Sequence, residues 1–126
     1  RLPVLTSLSL CLLAARAEGL SILDGVYLDL KDETGLAESC RQGAQMGFDG
    51  KTLIHPNQIA ATNRLLAPDE DEVDLSRRII AAHAEAEAEG KGVVVVDGKL
   101  IEALHVENAK RLVTLSEAIA ANEETD

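Results

Sequence analysis

The chain has 126 residues, which is enough for one ordinary domain and well short of the roughly 250 residues of a complete (β/α)₈ barrel. Hydrophobic residues make up 46% of the sequence and aromatic residues only 2%, which disfavours disorder throughout and predicts an aliphatic core. The formal net charge of -10 repels phosphate backbones, so nucleic acid is disfavoured as a partner.

The sequence contains no pattern typical of a signal peptide or a membrane span. Its apolar run from Leu8 to Ala15 is much shorter than the roughly 20 residues that cross a bilayer, and Arg16 follows it directly. The two cysteines, Cys11 and Cys40, are then expected to be reduced thiols. We therefore expect a cytoplasmic protein without a membrane partner.

The first half of the chain alternates between helix and strand. A buried helix is predicted from about Leu8 to Ala17 and a strand from Ile22 to Leu30. A second helix, Leu36–Met46, ends before Gly47, a residue suited to the positive φ of a helix C-terminus. A second strand, Lys51–Ile54, follows. Because parallel strands need a crossover element between them, this order predicts a parallel sheet covered by helices.

Helices dominate the second half of the chain. Gln58–Leu66 is predicted to be a further covering helix, and Pro68 ends it. A longer helix from Asp69 to about Glu89 begins with four acidic residues, which the helix macrodipole favours. Residues 93–101 predict a compact β-hairpin because an Asp-Gly turn joins two apolar runs. The final predicted helix runs from about His105 to Ala120.

Four stretches resemble the HpcH/HpaI aldolase and citrate lyase β-subunit family in order and spacing. They are ILDGVYLDLKD (22–32), GFDGKTLIHPNQI (47–59), APDEDEV (67–73) and GKGVVVVDGKLIE (90–102). Within the family, the chain is most similar to the malyl-CoA, citramalyl-CoA and citryl-CoA lyase-like branch. Residues 1–13 fit the family pattern poorly.

The resemblance implies an α/β fold that is the C-terminal part of a (β/α)₈ TIM barrel. Residues 1–67 would contain its last two strands and helices, and residues 68–126 a helical and hairpin lid. The family's Mg²⁺ ligands, a Glu and an Asp, lie on earlier strands, as do its basic residues for CoA. The resemblance therefore implies an incomplete fragment with no metal ligand of its own.

The resemblance also implies a Mg²⁺-dependent carbon–carbon lyase. Its substrate would be a β-hydroxyacyl-CoA thioester, which is cleaved to acetyl-CoA or a related thioester and an oxo acid, and the fragment alone would be inactive. Three alternatives stay open: a malyl-CoA thioesterase, a noncatalytic fragment or partner-binding subunit, and a small flavodoxin-like domain. The last lacks support because the sequence has no Gly-rich phosphate loop.

Two acids of the hairpin region are candidates for proton transfer. Glu102 stands where many relatives carry an Asp that reaches the active site across a subunit interface. Asp97 is the competing acid, although the Asp-Gly turn also explains its presence. The resemblance implies a homo-oligomer, a trimer or a hexamer, whose lid reaches a neighbouring subunit, and the segment 90–92 is the expected pivot.

Polar residues near the strand ends are candidates for binding substrate or CoA. His55 and Pro56 follow the second strand at the end where barrel enzymes place their active-site groups. Asp24 and Asp29 flank the other strand, and Gly25 permits the close approach of a ligand. A capping or bracing role is equally open for the two aspartates.

The lysines and the remaining histidines give weaker signals. Lys51 and Lys91 present compact charges suited to CoA phosphates, although isolated lysines are usually solvated. His83 and His105 lie in predicted helices without further ligands at zinc-site spacing. No metal site is predicted from them.

Overall fold

The computed structural model describes residues 1–123 of the chain. The chain divides into two compact units, Arg1–Leu66 and Ala67–Asp126. The first contains two short strands with their helices, and the second contains a hairpin between two long helices. The assignment of these units to a barrel segment and a lid stays a prediction.

The first unit alternates helices with strands. Its elements are α1 Leu5–Ala17, β1 Leu23–Asp24, α2 Glu33–Met46, β2 Gly50–Lys51 and α3 Ile59–Leu66, with 3-10 turns at Leu2–Val4 and Pro56–Gln58. β1 and β2 pair in parallel, and Asp24 lies opposite Lys51. The parallel pairing predicted from the strand-helix-strand order is confirmed.

Both strands are shorter than predicted. The predicted strands Ile22–Leu30 and Lys51–Ile54 each contribute only two residues to the ladder. A strand forms where its backbone groups find a partner strand, and within residues 1–123 no third strand lies beside β1 or β2. Val26 and Leu28 therefore belong to a loop, and Leu28 is 76% exposed.

Local capping signals fix both ends of α2. Asp32 is the N-cap, and its carboxylate accepts the backbone N–H of Gly35 at 2.9 Å. At the other end Gly47 has a φ of +100°, and the Phe48 N–H donates to the Gly43 carbonyl at 3.0 Å. This Schellman arrangement favours glycine, so the predicted role of Gly47 is confirmed.

A buried glutamine joins the two loops that follow the strands. Gln58 donates from Nε2 to the Tyr27 carbonyl at 2.9 Å, and its Oε1 accepts the Ile54 N–H at 3.2 Å. Between α2 and α3, the buried Cys40 thiol and Thr62 hydroxyl meet at 3.7 Å. Buried polar groups require such partners. Through its two hydrogen bonds, Gln58 holds the segments after β1 and β2 together.

The second unit packs a β-hairpin and a helix against α4. Its elements are α4 Glu70–Ala88, β3 Val94–Val96, β4 Lys99–Ile101 and α5 Ala103–Glu123. The buried side chains of α4 and α5 are small or branched, namely Val73, Ser76, Ala86, Val106 and Ala109. Such residues allow two helices to approach closely.

The hairpin forms through the predicted Asp-Gly turn. β3 and β4 are antiparallel, and Val95 lies opposite Leu100. Asp97 and Gly98 have φ values of +49° and +75°. A type I′ turn requires positive φ at both central residues and favours Asp-Gly, so the hairpin prediction is confirmed.

At Gly35, within α2, the usual effect of a glycine-to-alanine change should be reversed. Alanine normally stabilises a helix interior by roughly 1 kcal/mol relative to glycine. A Cβ on Gly35, however, would overlap the Tyr27 hydroxyl and the Asp32 carboxylate, which hydrogen-bond each other at 2.6 Å. We expect Gly35→Ala to lower the urea midpoint of unfolding because these side chains must separate.

The Tyr27 hydroxyl provides the control for this change. Tyr27→Phe removes the group that the new methyl would meet, so Gly35→Ala should cost less stability in a Tyr27→Phe background than in the parent chain. A Gly35→Ala chain that unfolds at higher urea than the parent would show that helix propensity outweighs the steric conflict.

Candidate functional site

A buried carboxylate lies where β1 ends. Asp24 is 3% exposed and accepts hydrogen bonds from Arg1 Nη1 at 2.7 and 2.9 Å and from Lys51 Nζ at 3.1 Å. The Gly25 N–H adds a bond at 2.9 Å. Burial alone would raise the pKa of Asp24, but the hydrogen bonds from Arg1 and Lys51 hold that pKa below its ordinary value. Asp24 is therefore an ionised and paired carboxylate.

Lys51, the last residue of β2, is committed to the same cluster. Its ammonium donates to Asp24 Oδ2, to the Gly25 carbonyl at 2.7 Å and to Ser39 Oγ at 3.0 Å. An ammonium has three donors, and its side chain is only 1% exposed. Lys51 is thus neither solvated, as an isolated lysine usually is, nor free to reach a CoA phosphate.

The predicted pair His55 and Pro56 begins the 3-10 turn after β2. His55 is its N-cap, and Nδ1 of the ring accepts the Asn57 N–H at 3.2 Å. The same ring nitrogen lies 2.9 Å from Asn57 Oδ1. Both His55 and Pro56 are exposed, so His55 combines a capping role with access to solvent.

Asp29 lines a different feature, a cavity of about 350 Å³ between α2 and α3. Its carboxylate also braces the loop by accepting the Lys31 N–H at 3.0 Å. Asn57, Arg41 and Arg64 are further polar residues of this cavity, whereas the other predicted binding residues do not line it. The predicted binding residues thus lie at or beyond the ends of the two strands, and they do not converge on this cavity.

Asp97 is held by a two-point ion pair. Its two oxygens accept from Arg78 Nη1 and Nη2 at 2.7 and 2.9 Å, which fastens the hairpin turn to α4. These hydrogen bonds hold the pKa of Asp97 below its ordinary value and raise the pKa of Arg78. Asp97 is therefore ionised, with both oxygens occupied.

Glu102 lies at the start of α5 with an exposed side chain. Its backbone N–H donates to His105 Nδ1 at 2.9 Å. It lines a cavity of about 290 Å³ between the hairpin and the end of α4, together with His83 and Lys91. Of the two candidate acids, Glu102 lines this cavity, whereas Asp97 is paired with an arginine.

The glycine segment before the hairpin is hydrogen-bonded. Gly90 has a φ of +68°, its N–H donates to the Glu87 carbonyl at 3.2 Å, and the Lys91 N–H donates to the Ala86 carbonyl at 2.9 Å. This is a Schellman motif that ends α4. A pivot at residues 90–92 stays a prediction, and it would have to open this motif.

Three partner residues were not predicted from the sequence. Arg1, Ser39 and Arg78 lie 23, 12 and 19 positions from the residues that they bind. Charge complementarity hints at the two arginine pairs alone, and a chain with 34 charged residues offers many such pairs. Asn57, in contrast, belongs to the HPNQ motif at residues 55–58, so the family motif could have identified it as a candidate.

The described residues do not fit a magnesium site. Within residues 1–123, no three His, Cys, Asp or Glu side chains are grouped as a metal ion would require. The most buried carboxylate, Asp24, is already neutralised by two cations.

Within residues 1–123, no helix is long and apolar enough to cross a membrane.

Residues 2–56 match a family model described as HpcH/HpaI aldolase/citrate lyase. The chain is 54% identical over 121 residues to a (3S)-malyl-CoA thioesterase of Cereibacter sphaeroides, a match that covers 96% of this chain and 42% of that protein. It is 43% identical over 97 residues to the citrate lyase subunit beta of Haemophilus influenzae, covering 77% of this chain and 33% of that protein.

Two solved structures share the fold. CitE from Mycobacterium tuberculosis, in complex with magnesium, acetoacetate and coenzyme A, has a TM-score of 0.65 at 31% identity and covers 84% of this chain and 38% of that chain. A citrate lyase from Burkholderia xenovorans has a TM-score of 0.67 at 18% identity, with 85% and 33% coverage. The chain thus spans about two fifths or less of the length of these relatives.

The helix-rich α/β fold resembles that of the TIM-barrel-like citrate lyase β-subunits. The chain belongs to the HpcH/HpaI aldolase/citrate lyase family, as the sequence motifs predicted. The family match begins at residue 2 and therefore includes residues 2–13, for which a poor fit was expected. These residues form the start of α1 and the turn before it.

The Asp24–Lys51 pair should contribute strongly to stability. Asp24→Asn leaves the Lys51 ammonium buried without its counter-charge, and we expect a loss of about 3 kcal/mol in the free energy of unfolding at pH 7, measured with urea. Because the folded-state pKa of Asp24 is lowered, its contribution is present above the unfolded pKa and is lost as the pH falls through the folded value.

The parent chain should therefore lose stability below about pH 4, and Asp24→Asn should lose less over the same interval. Asp29→Asn is the matched control because Asp29 is an exposed aspartate in the same segment. Equal effects of the two substitutions at pH 7 would contradict the importance of the buried pair.

Proposed function

We propose that this chain forms the C-terminal part of a carbon–carbon lyase that cleaves a β-hydroxyacyl-CoA of the malyl-CoA, citramalyl-CoA or citryl-CoA type. The products would be acetyl-CoA or a related thioester and an oxo acid. The observation that carries this proposal is the 54% identity, over 96% of the chain, to a protein that acts on malyl-CoA. Similarity to citrate lyase subunit beta supports the lyase reaction in particular.

Thioester hydrolysis is the second candidate, because that same relative is named a thioesterase. The lyase breaks a carbon–carbon bond and leaves the thioester intact in one product. The thioesterase breaks the carbon–sulfur bond with water and releases free CoA. With malyl-CoA as substrate, a lyase yields glyoxylate and acetyl-CoA, whereas a thioesterase yields malate and CoA, so product analysis separates the two functions.

In the proposed lyase, Glu102 exchanges a proton with the enolate carbon of the thioester product. A general acid must carry a proton and have access to the reacting atom. Asp97 is a poor proton carrier, because Arg78 pairs with both of its oxygens and lowers its pKa. Glu102 is exposed and lines a cavity, which supports the preference for Glu102 over Asp97.

Exposed apolar residues support the proposed barrel segment and lid. Leu23 and Leu28 accompany β1 without cover from the first unit, and a strand of a complete parallel sheet is normally buried on both faces. On the hairpin, Val93, Val95 and Leu100 are exposed on one face. We propose that this face contacts a neighbouring subunit of a homo-oligomer, in which the lid closes over the neighbour's active site.

The Mg²⁺ of the proposed reaction would require ligands outside the described residues. We propose that earlier segments of a complete protein provide them, together with the basic groups for CoA. Asp24, Gly25 and Lys51 would brace the strand ends rather than touch substrate, whereas His55 and Asp29 keep exposed polar atoms near those ends. The free thiols of Cys11 and Cys40 suit a cytoplasmic location.

The 126-residue chain by itself should neither bind Mg²⁺ with useful affinity nor cleave malyl-CoA or citramalyl-CoA. The physical reason is that its described residues provide no grouped carboxylates for the metal. Calorimetric titration with Mg²⁺ and chromatographic analysis of the CoA products test this expectation. Turnover by the purified chain would contradict it.

In an active protein that contains this chain together with the metal-ligating segments, Glu102→Gln should lower kcat for carbon–carbon cleavage by about 100-fold or more. Binding of the CoA ester should change little, since a general acid acts mainly in the transition state. Asp97→Asn is the matched control and should have a much smaller effect. Loss of activity with Asp97→Asn but not with Glu102→Gln would reverse the assignment.

Subunit mixing extends the same experiment to the proposed oligomer. A Glu102→Gln protein mixed with a protein inactivated at its metal ligands should regain activity if the acid comes from the adjacent chain. An absence of rescue would place the whole site within one subunit.

A further inference from the structure

The backbone of Glu102 is hydrogen-bonded on both of its polar groups. Its N–H donates to His105 Nδ1 at 2.9 Å. Its carbonyl accepts the N–H of His105 at 2.9 Å and that of Val106 at 3.3 Å. Glu102 therefore occupies the N-cap position of α5, directly before the first helical residue, Ala103.

His105 completes one half of a capping box. In that motif the third helical residue, usually Glu or Gln, reaches back with its side chain to the backbone N–H of the N-cap. Here the imidazole provides the acceptor in place of a carboxylate or an amide. A ring nitrogen that accepts a hydrogen bond carries no hydrogen, so neutral His105 carries its hydrogen on Nε2.

We propose that His105 is a positioning residue for the Glu102 carboxylate. This role rests on the proposed function, in which Glu102 exchanges the proton. Once the N–H and the carbonyl of Glu102 are fixed, the position of its carboxylate depends on side-chain torsions alone. A catalytic group that is misplaced by about 1 Å can lose on the order of 100-fold in rate, so a fixed backbone at this residue matters for proton transfer.

The other basic side chains beside Glu102 have different partners. His83 and Lys91 line the same cavity, but His83 Nδ1 lies 3.6 Å from Glu87 and Lys91 pairs with Glu89. Within residues 1–123, the imidazole that bonds the Glu102 backbone is that of His105. His83 therefore provides the matched control, as a histidine of the same cavity wall without a capping bond.

Nuclear magnetic resonance on the ¹⁵N-labelled 126-residue chain tests the cap directly. In the parent chain, the His105 ring should carry its hydrogen on Nε2. His105→Ala should speed amide hydrogen exchange at Glu102 by about 5-fold, the equivalent of a typical capping bond. His105→Gln should stay within about 2-fold of the parent, because glutamine provides the usual acceptor of a capping box. His83→Ala should leave this exchange unchanged.

Two results would overturn the proposal. One is an unchanged exchange rate at Glu102 in His105→Ala, and the other is a His105 ring with its hydrogen on Nδ1. A destabilised chain would speed exchange at buried amides of α4 as well. The ratio of Glu102 exchange to exchange at Val73, a buried residue of α4, therefore separates loss of the cap from general unfolding.

The catalytic consequence requires an active protein that contains this chain. His105→Ala should lower kcat with KM unchanged, and His105→Gln should restore most of the rate. Normal kcat in His105→Ala would overturn the positioning role. A parent protein without turnover would instead contradict the proposed function, and the resonance measurements would still support or overturn the cap.

Discussion

The parallel pairing of β1 with β2 depends on one buried ion pair. Asp24 and Lys51 are opposed residues of the ladder, and both side chains are almost fully buried. Loss of Asp24 leaves the Lys51 ammonium without a counter-charge in a medium of low dielectric, at a cost of about 3 to 5 kcal/mol. Because a shift of one residue would separate the two charges, the pair specifies the alignment of the strands as well as their stability.

Features that depend on neighbouring residues could be predicted from the sequence. The Asp-Gly turn of the hairpin, the glycine that ends α2 and the order of helices and strands each follow from contacts over a few positions. The family motifs extended this to the fold class, since GFDGKTLIHPNQI is specific in both composition and spacing. Local signals and motifs therefore gave the elements and the family.

Features that depend on distant residues could not be predicted. The length of a strand depends on its partner strand. The predicted strand Ile22–Leu30 contains only the two residues of β1 because the described chain provides no further strand beside it. Asp24 and Lys51 were candidates for ligand contact, but the fold pairs them with each other, and Arg78 takes up Asp97 in the same way. The sequence shows which residues bear charge, but the fold determines which of these charges pair with each other and which stay available to a ligand.

The buried Asp24–Lys51 pair and the exposed Arg78–Asp97 pair should respond differently to ionic strength. At physiological salt the Debye length is about 8 Å, and mobile ions screen exposed charges far more than buried ones. Arg78 and Asp97 are both more than half exposed, whereas Asp24 and Lys51 are shielded from solvent. Added salt should thus loosen the hairpin turn from α4 while the strand pair of the first unit stays intact, so the hairpin turn should be more sensitive to salt than the strand pair.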